Sequence, residues 1–383
     1  MYKKVLLSII FSFLFGVSWS QNDSIHTLKL LFAGDIMGHD SQIKSAEIEL
    51  NKSYDYSSCF EYIAPVLKDA DLTIGNLELT FPGKPPYTGY PLFKSPEDLA
   101  LALRHAGFNF LATANNHSND GGLIGVTNTV ETLDEYGFYH TGTFKNAEER
   151  EAYYPLIVYK GNFKLAFLNY TYDTNGVPTR FPTIVNEIKE ELIEADMAVA
   201  RDLQPDAIIV IMHWGEEYQL TESKKQRDLA QKLANWGADL IIGAHPHVVQ
   251  PIKNVTTLRA DSTEKIVPVA YSLGNFISGQ VKVNTDGGLM VEIILKKNTI
   301  DNSLQIKTPQ YIPVWRWREK TKDGKTNYRV IPISAYEEDA TSIGMNATDH
   351  TAMLRYVRAV RKNLENSEAS EKKISLQPAT SNE

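Results

Sequence analysis

From Thr27 to about Leu295, short apolar runs alternate with longer stretches of helical periodicity. The runs at 28–32, 71–74, 108–113, 156–159, 165–170, 207–212, 240–242, 267–271 and 289–295 are rich in Ile, Leu, Val and aromatic residues. Gly, Asp, Asn or Pro bounds each of them, so they are predicted strands. Between them, 96–106, 122–136, 185–202 and 221–236 carry helical patterns. This alternation predicts an α/β protein whose helices cover mostly buried sheet.

Beyond Leu295 the character changes. Residues 296–303 are polar and read as a turn, and IPVWRWREKTKDGKTNYRVIPI (312–333) predicts two strands joined around Asp323-Gly324. Trp315 and Trp317 alternate as packed strand residues, leaving Arg316 and Arg318 on the opposite face, where they could meet an anionic polymer. A final helix is expected over 342–363, followed by a polar, disordered tail. The first twenty residues, with Lys3 and Lys4 before an apolar run and small residues at Ser18 and Ser20, read as a secretory signal peptide. The expected organisation is a signal over 1–20, a main domain over 21–300, a hairpin-plus-helix elaboration over 301–366 and a tail over 367–383. The mature protein is expected to be exported, to the periplasm or the cell surface.

Composition narrows the chemistry. The net charge of -8 argues against general nucleic-acid binding, which draws on broad basic surface. An anionic substrate must then be met by local positive charge or by metal. A single cysteine, Cys59, excludes an intrachain disulfide and a thiolate metal cluster.

Five predicted strands finish in residues able to bind metal: Gly34-Asp35, Asn76-Leu77-Glu78, Asn115-Asn116-His117, His213-Trp214-Gly215-Glu216 and His245-Pro246-His247. Ligand sites of α/β sheets gather at the carboxyl ends of strands. Oxygen and nitrogen donors without thiolate suit Mn, Zn or Fe in preference to Mg, as one or two divalent ions. Residues two apart on extended backbone project to one side, and Pro246 biases His245 towards extended backbone, so His245 and His247 are expected to be held extended and aimed together. Asn275 either fixes its turn or lines the cleft. Glu216 and Glu217 either support a ligating histidine or belong to a solvated loop.

Gly34-Asp35-Ile36-Met37, Asn76-Leu77-Glu78, Ala114-Asn115-Asn116-His117 with Asp120 and Gly121, the 213–218 stretch HWGEEY, the 243–250 stretch GAHPHVVQ and the 271–276 stretch YSLGNF occur in this order. The set resembles that of CapA-type bacterial capsule and poly-γ-glutamate biosynthesis proteins, over roughly residues 28–295. The resemblance implies the calcineurin-like metallophosphatase fold, an α/β four-layer α-β-β-α sandwich with its metal site at the ends of two sheets. Carried over, it implies that Asp35 binds a first metal and that Glu78 or Asn76 bridges. Glu78 is preferred because a group between two dications should be anionic. Asn116, His213 and His245 would bind the second metal, and His247 would return to the first. His117 would contact substrate and protonate the leaving group. Where the wider superfamily has Asp-x-His this chain has Asp35-Ile36-Met37, and a thioether is a poor ligand for such ions. His39 is the candidate replacement.

The expected function is an exported metal-dependent hydrolase of capsule or exopolymer metabolism, acting on a phosphoester or on an amide of an anionic polymer. The alternative is a non-catalytic assembly or export factor working with membrane-bound polymer synthesis machinery.

Overall fold

The computed structural model describes residues 24–375 apart from 51, 260, 322 and 323. The signal-peptide reading therefore lies outside the described residues. Two sheets pack face to face. The larger runs, strand by strand, Thr326–Pro332, Gln310–Lys320, Gly287–Asn298, Ile25–Ile36, Leu72–Leu77, Phe110–Ala112, Tyr139–Thr141. The smaller runs Ile252–Leu258, Glu264–Ala270, Leu240–Ala244, Ala207–His213, Phe163–Thr171, Leu156–Lys160. Ile25–Ile36, Leu72–Leu77, Phe110–Ala112 and Tyr139–Thr141 are mutually parallel, as are Phe163–Thr171, Ala207–His213, Leu240–Ala244 and Glu264–Ala270.

Strand alternation divides the apolar residues into three cores. Leu28, Leu30 and Phe32 meet Phe167, Ile209 and Ile242 between the sheets. Leu31, Ala33 and Leu111 face outward onto Leu99 and Leu103 of the helix Asp98–Ala106. Ile208, Val210 and Ile241 face the other way onto Met197 and Leu233, from the helices Glu190–Asp202 and Lys224–Asn235. The result is the four-layer α-β-β-α sandwich that the resemblance implied.

The C-terminal part departs from expectation. The hairpin strands extend the larger sheet itself, through Gly287–Trp315 and Glu292–Gln310 pairing, and the helix Ala347–Asn363 adds Met353, Tyr356 and Val357 to the inter-sheet core. Trp315 and Trp317 are buried as expected, but so is Arg316, at 4% exposure, with its Nη2 donating to the Gln280 carbonyl at 2.7 Å. Covered in this way, Arg316 cannot meet a polymer. The expected disorder from Ser367 is also corrected. Ser370–Glu371 forms a parallel pair with Gln310–Tyr311, and the Ser367 hydroxyl accepts the Ile252 amide hydrogen at 3.1 Å. Residues 376–383 lie outside the described region.

Arg361 clasps this C-terminal strand, donating to both Glu337 and Glu371, the latter at 2.7 Å twice. The Arg361 hydrogen bond holds Glu337 below its usual value. Burial works to raise Glu371, but Arg361 and Lys373 overcome it and hold it low. Carboxyls depressed in the folded state contribute stability that is present above their unfolded pKa and lost as pH falls. Arg361→Ala is expected to lower Tm by about 1–2 °C at neutral pH, for about 1 kcal/mol after solvent screening. Calorimetric scans should show the difference from wild type closing as the pH falls through the acid range.

Candidate metal centre

The inward-facing residues of several strands run on past the apolar core and become ligands. On Leu72–Leu77, Leu72 and Ile74 lie in the inter-sheet core, and the same alternation carries Asn76 and then Glu78 to the inner side. On Ala207–His213, Ile209 and Ile211 are followed by His213. Asp35 needs a change of phase, since Leu31 and Ala33 point outward while Leu30 and Phe32 point in. A bulge supplies it. The register against Leu72–Leu77 shifts between Ala33 and Asp35, after which Ile36 faces outward. The bulge needs glycine, because a Cβ on Gly34 would stand 1.9 Å from the Gly274 carbonyl oxygen.

Two overlapping groups of possible metal donors result, Asp35–Glu78–His247 and Glu78–His213–His245, and all five residues are buried. Glu78 belongs to both, as a bridging carboxylate would. Its Oε1 is 3.6 Å from His213 Nε2 and 3.8 Å from His247 Nε2. Donors bound about 2.1 Å from one ion stand about 3–4 Å apart, so these separations suit shared coordination. Asn116 adds its amide oxygen 2.8 Å from His213 Nε2. Asn76 takes a supporting role, with its Nδ2 donating to Asp35 Oδ1 at 2.8 Å.

The residues fit divalent cations on two counts. Both Glu78 oxygens and His245 Nδ1 are buried without a hydrogen-bond partner, which is costly unless a cation completes them. Burial, then the neighbouring Asp35 charge, pushes Glu78 well above the usual carboxyl range. Burial also pushes His213 well below the usual imidazole value and His245 down to about 3. Neutral imidazoles have a lone pair to give, and a dication would let Glu78 ionise.

The expected extended turn at His245-Pro246-His247 is not what forms. His245 has φ +100° and His247 φ +59°, a left-handed geometry rare for residues with a Cβ. The two imidazoles consequently go to different groups, with ring centroids 5.9 Å apart. Met37 packs in the outer apolar core at the position where the wider superfamily has a ligand. His39 does not replace it among the donor groups of the described residues; its Nδ1 accepts the Gly279 amide hydrogen at 3.0 Å. Asn275 sits behind His247, with Oδ1 3.2 Å from Nδ1. Glu216 and Glu217 are exposed, outside both groups.

Beside the donors, His117 Nδ1 lies 2.6 Å from Asp120 Oδ2, which also accepts the Phe93 amide hydrogen at 2.6 Å. Burial holds the Asp120 carboxyl above its usual value, against the pull of His117 and Phe93. The sequence reading quoted Asp120 without giving it a task; its spacing of three from His117 was the available signal. It missed Tyr172 and Asn175, on the loop after Phe163–Thr171, another strand end. The Tyr172 ring lies 4.5 Å from that of His245, and Asn175 Nδ2 is 3.5 Å from His117 Nε2.

Buried carboxylate and imidazole donors at the strand ends of a four-layer sandwich define a metallophosphatase-like α/β protein. The family described as "Bacterial capsule synthesis protein PGA_cap" matches residues 29–280, and the chain belongs to it. The capsule biosynthesis protein CapA of Bacillus anthracis is 26% identical over 318 residues, covering 78% of this chain and 73% of that protein. The PGA biosynthesis protein CapA of Bacillus subtilis (strain 168) is 27% identical over 316 residues, covering 77% of each. Among solved structures, the calcineurin-like phosphoesterase YfkN from Bacillus subtilis aligns with TM-score 0.44 at 16% identity, covering 87% of this chain and 99% of that one.

Glu78→Gln provides the test of the shared donor. Because the folded state raises the Glu78 pKa, ionising it without a cation costs stability as pH rises above the unfolded value. Chelator-stripped Glu78→Gln is therefore expected to melt above stripped wild type at neutral pH, by about 1–3 kcal/mol of removed desolvation penalty. Added Mn or Zn should raise the Tm of wild type and leave the variant unchanged. Metal analysis should show the variant with at least one ion fewer per chain than wild type.

Proposed function

We infer that this protein is an exported, metal-dependent hydrolase of capsule or exopolymer metabolism, acting on a phosphoester or amide bond of an anionic substrate. The observation that carries the reading is the His117–Asp120 pair. A site that merely stores metal or braces the fold needs ligands, whereas a buried carboxylate fixing the imidazole beside them is the arrangement of a proton donor. Names of relatives concerned with capsule and PGA biosynthesis support the polymer context, and the signal-peptide pattern of residues 1–20 supports export.

Divalent ions held by Asp35, Glu78, Asn116, His213, His245 and His247 would supply an activated water and polarise the scissile group. The chain's own groups do the rest. Asp120 accepts the Nδ1 hydrogen of His117 and so fixes the tautomer and the ring plane, with Phe93 packed edge-on at 4.6 Å between centroids. Nε2 is then the nitrogen that faces the leaving group. In the doubly protonated ring, whose charge the Asp120 carboxylate balances, it gives its proton to the leaving oxygen or nitrogen while Nδ1 keeps its hydrogen on Asp120. Asn175 Nδ2 stands 3.5 Å from Nε2.

A second reading has one observation in its favour: Met37, apolar and buried, stands where the wider superfamily has a ligand. On that reading the protein is a polymer assembly or export factor, working beside membrane-bound synthesis machinery and keeping a reduced metal site.

His117→Ala separates the two. Hydrolysis by metal-loaded protein should be followed on p-nitrophenyl phosphate, an alkyl phosphate and poly-γ-glutamate. Loss of a general acid is expected to lower kcat about 10²–10⁴-fold with metal content unchanged. The loss should be smaller for p-nitrophenolate, which leaves without help. Wild-type protein that holds metal yet turns over none of the three would move the assignment to the assembly factor.

A further inference from the structure

Tyr172 has a second neighbourhood. One side of it meets His245, and it also lines a cleft of about 250 Å³ with Ile188, Trp214, Leu229, Glu216 and Lys225. That volume is below the usual range for drug-sized ligands and has room for one residue-sized group. The apolar walls come from the outer helical layer, since Trp214 and Leu229 belong to its core and Ile188 packs on it.

The charges at this cleft differ in whether they are paired. Around it, Lys224 is bonded to Asp228 at 2.5 Å, Arg227 lies 3.7 Å from Glu222, and Lys253 is 2.6 Å from the same carboxylate. The Gln226 amide is tied to Gln250 and to the Ser223 backbone. Lys225 and Glu216, which line the cleft, make no side-chain hydrogen bond or ion pair among the described residues. The cleft thus presents one unpaired cation and one unpaired anion over apolar walls, next to the metal-donor imidazoles.

We propose that the cleft beside Tyr172 is a subsite for a zwitterionic amino-acid group, with Lys225 taking its carboxylate and Glu216 its ammonium. A ligand with a single charge satisfies only one of the two side chains, and a dicarboxylate meets repulsion from Glu216. Placing this group on the substrate rests on the hydrolase reading above, because Tyr172 then positions a terminal residue next to the bond that is cut. Occupancy of the cleft itself does not need metal.

The test is calorimetric titration of the full chain with L-alanine, acetate and ethylamine, in metal-loaded and chelator-treated protein. Alanine is expected to bind saturably in both forms, and acetate and ethylamine at least about tenfold more weakly. Lys225→Ala and Glu216→Ala should each weaken alanine by about tenfold or more, the scale of one charge-assisted hydrogen bond, with metal content unchanged. The absence of saturable alanine binding, equal binding of acetate, or binding that survives both substitutions overturns the subsite. So does binding that requires metal, which would make alanine a ligand of the ions. Alanine binding retained in a protein that hydrolyses nothing would strike only the hydrolase reading and leave the subsite standing.

Discussion

The centre is organised by one desolvated carboxylate. Glu78 is fully buried, and neither oxygen has a hydrogen-bond partner among the described residues. An ionised carboxylate in that position is tolerable only beside positive charge. His213 and His245 do not provide it, because burial pushes both well below the usual imidazole value. Two half-solutions, an unpaired acid and neutral bases, become one complete solution only with cations between them. The same logic explains Asn76: its amide donates to Asp35 without adding a further charge to a crowded site.

Holding such a group requires the two sheets to keep a fixed offset, and buried asparagines do this. The Asn169 side chain, on the inner face of the smaller sheet, accepts the Ala114 amide hydrogen at 2.7 Å and donates to the Ile211 carbonyl at 3.1 Å. It joins the loop carrying Asn116 and His117 to the strand ending in His213. Asn115 donates to the Leu77 carbonyl at 2.7 Å and accepts from the His117 amide at 3.0 Å, tying that loop to Glu78. Gly142 leaves the room, since a Cβ there would sit 2.1 Å from Asn169 Oδ1. These ties are short, directional and buried, so the positions of the donors are set by the protein before any ion arrives.

Much of this was legible in the sequence, for identifiable reasons. Period-two alternation in long apolar strands is a strong signal, and it located Leu72–Leu77, Phe163–Thr171, Ala207–His213 and Leu240–Ala244 to within a few residues. It also puts Asn76 and Glu78 on one face, and the need for an anion between two dications selects Glu78. Other features were not legible. The Gly34 bulge reverses the phase before Asp35, and no local pattern announces it; the signal is a tertiary clash with Gly274. The left-handed His245 and His247 defy the local preference set by Pro246, because tertiary contacts override it. Tyr172 and Asn175 become visible only when the second sheet brings its own strand end to the site. The C-terminal segment likewise looked like an appendage because sheet extension is a non-local pairing. Its Arg316, which polarity alone would place outside, is enclosed beside the Gln280 loop.

The order of strands in the larger sheet has a bearing on how the chain is made. Ile25–Ile36, the first strand of the described residues, pairs on one side with Gly287–Asn298, from Ile25 opposite Asn298 to Ala33 opposite Met290. During synthesis that side remains an unsatisfied sheet edge until Gly287–Asn298 has been made, a long-range closure of the kind that folds slowly and invites association with other chains. Asp35 is made more than two hundred residues before its neighbours His247 and Asn275. A nascent or truncated chain therefore carries the acids of the centre without its bases, and competence for metal comes late, together with closure of the sheet.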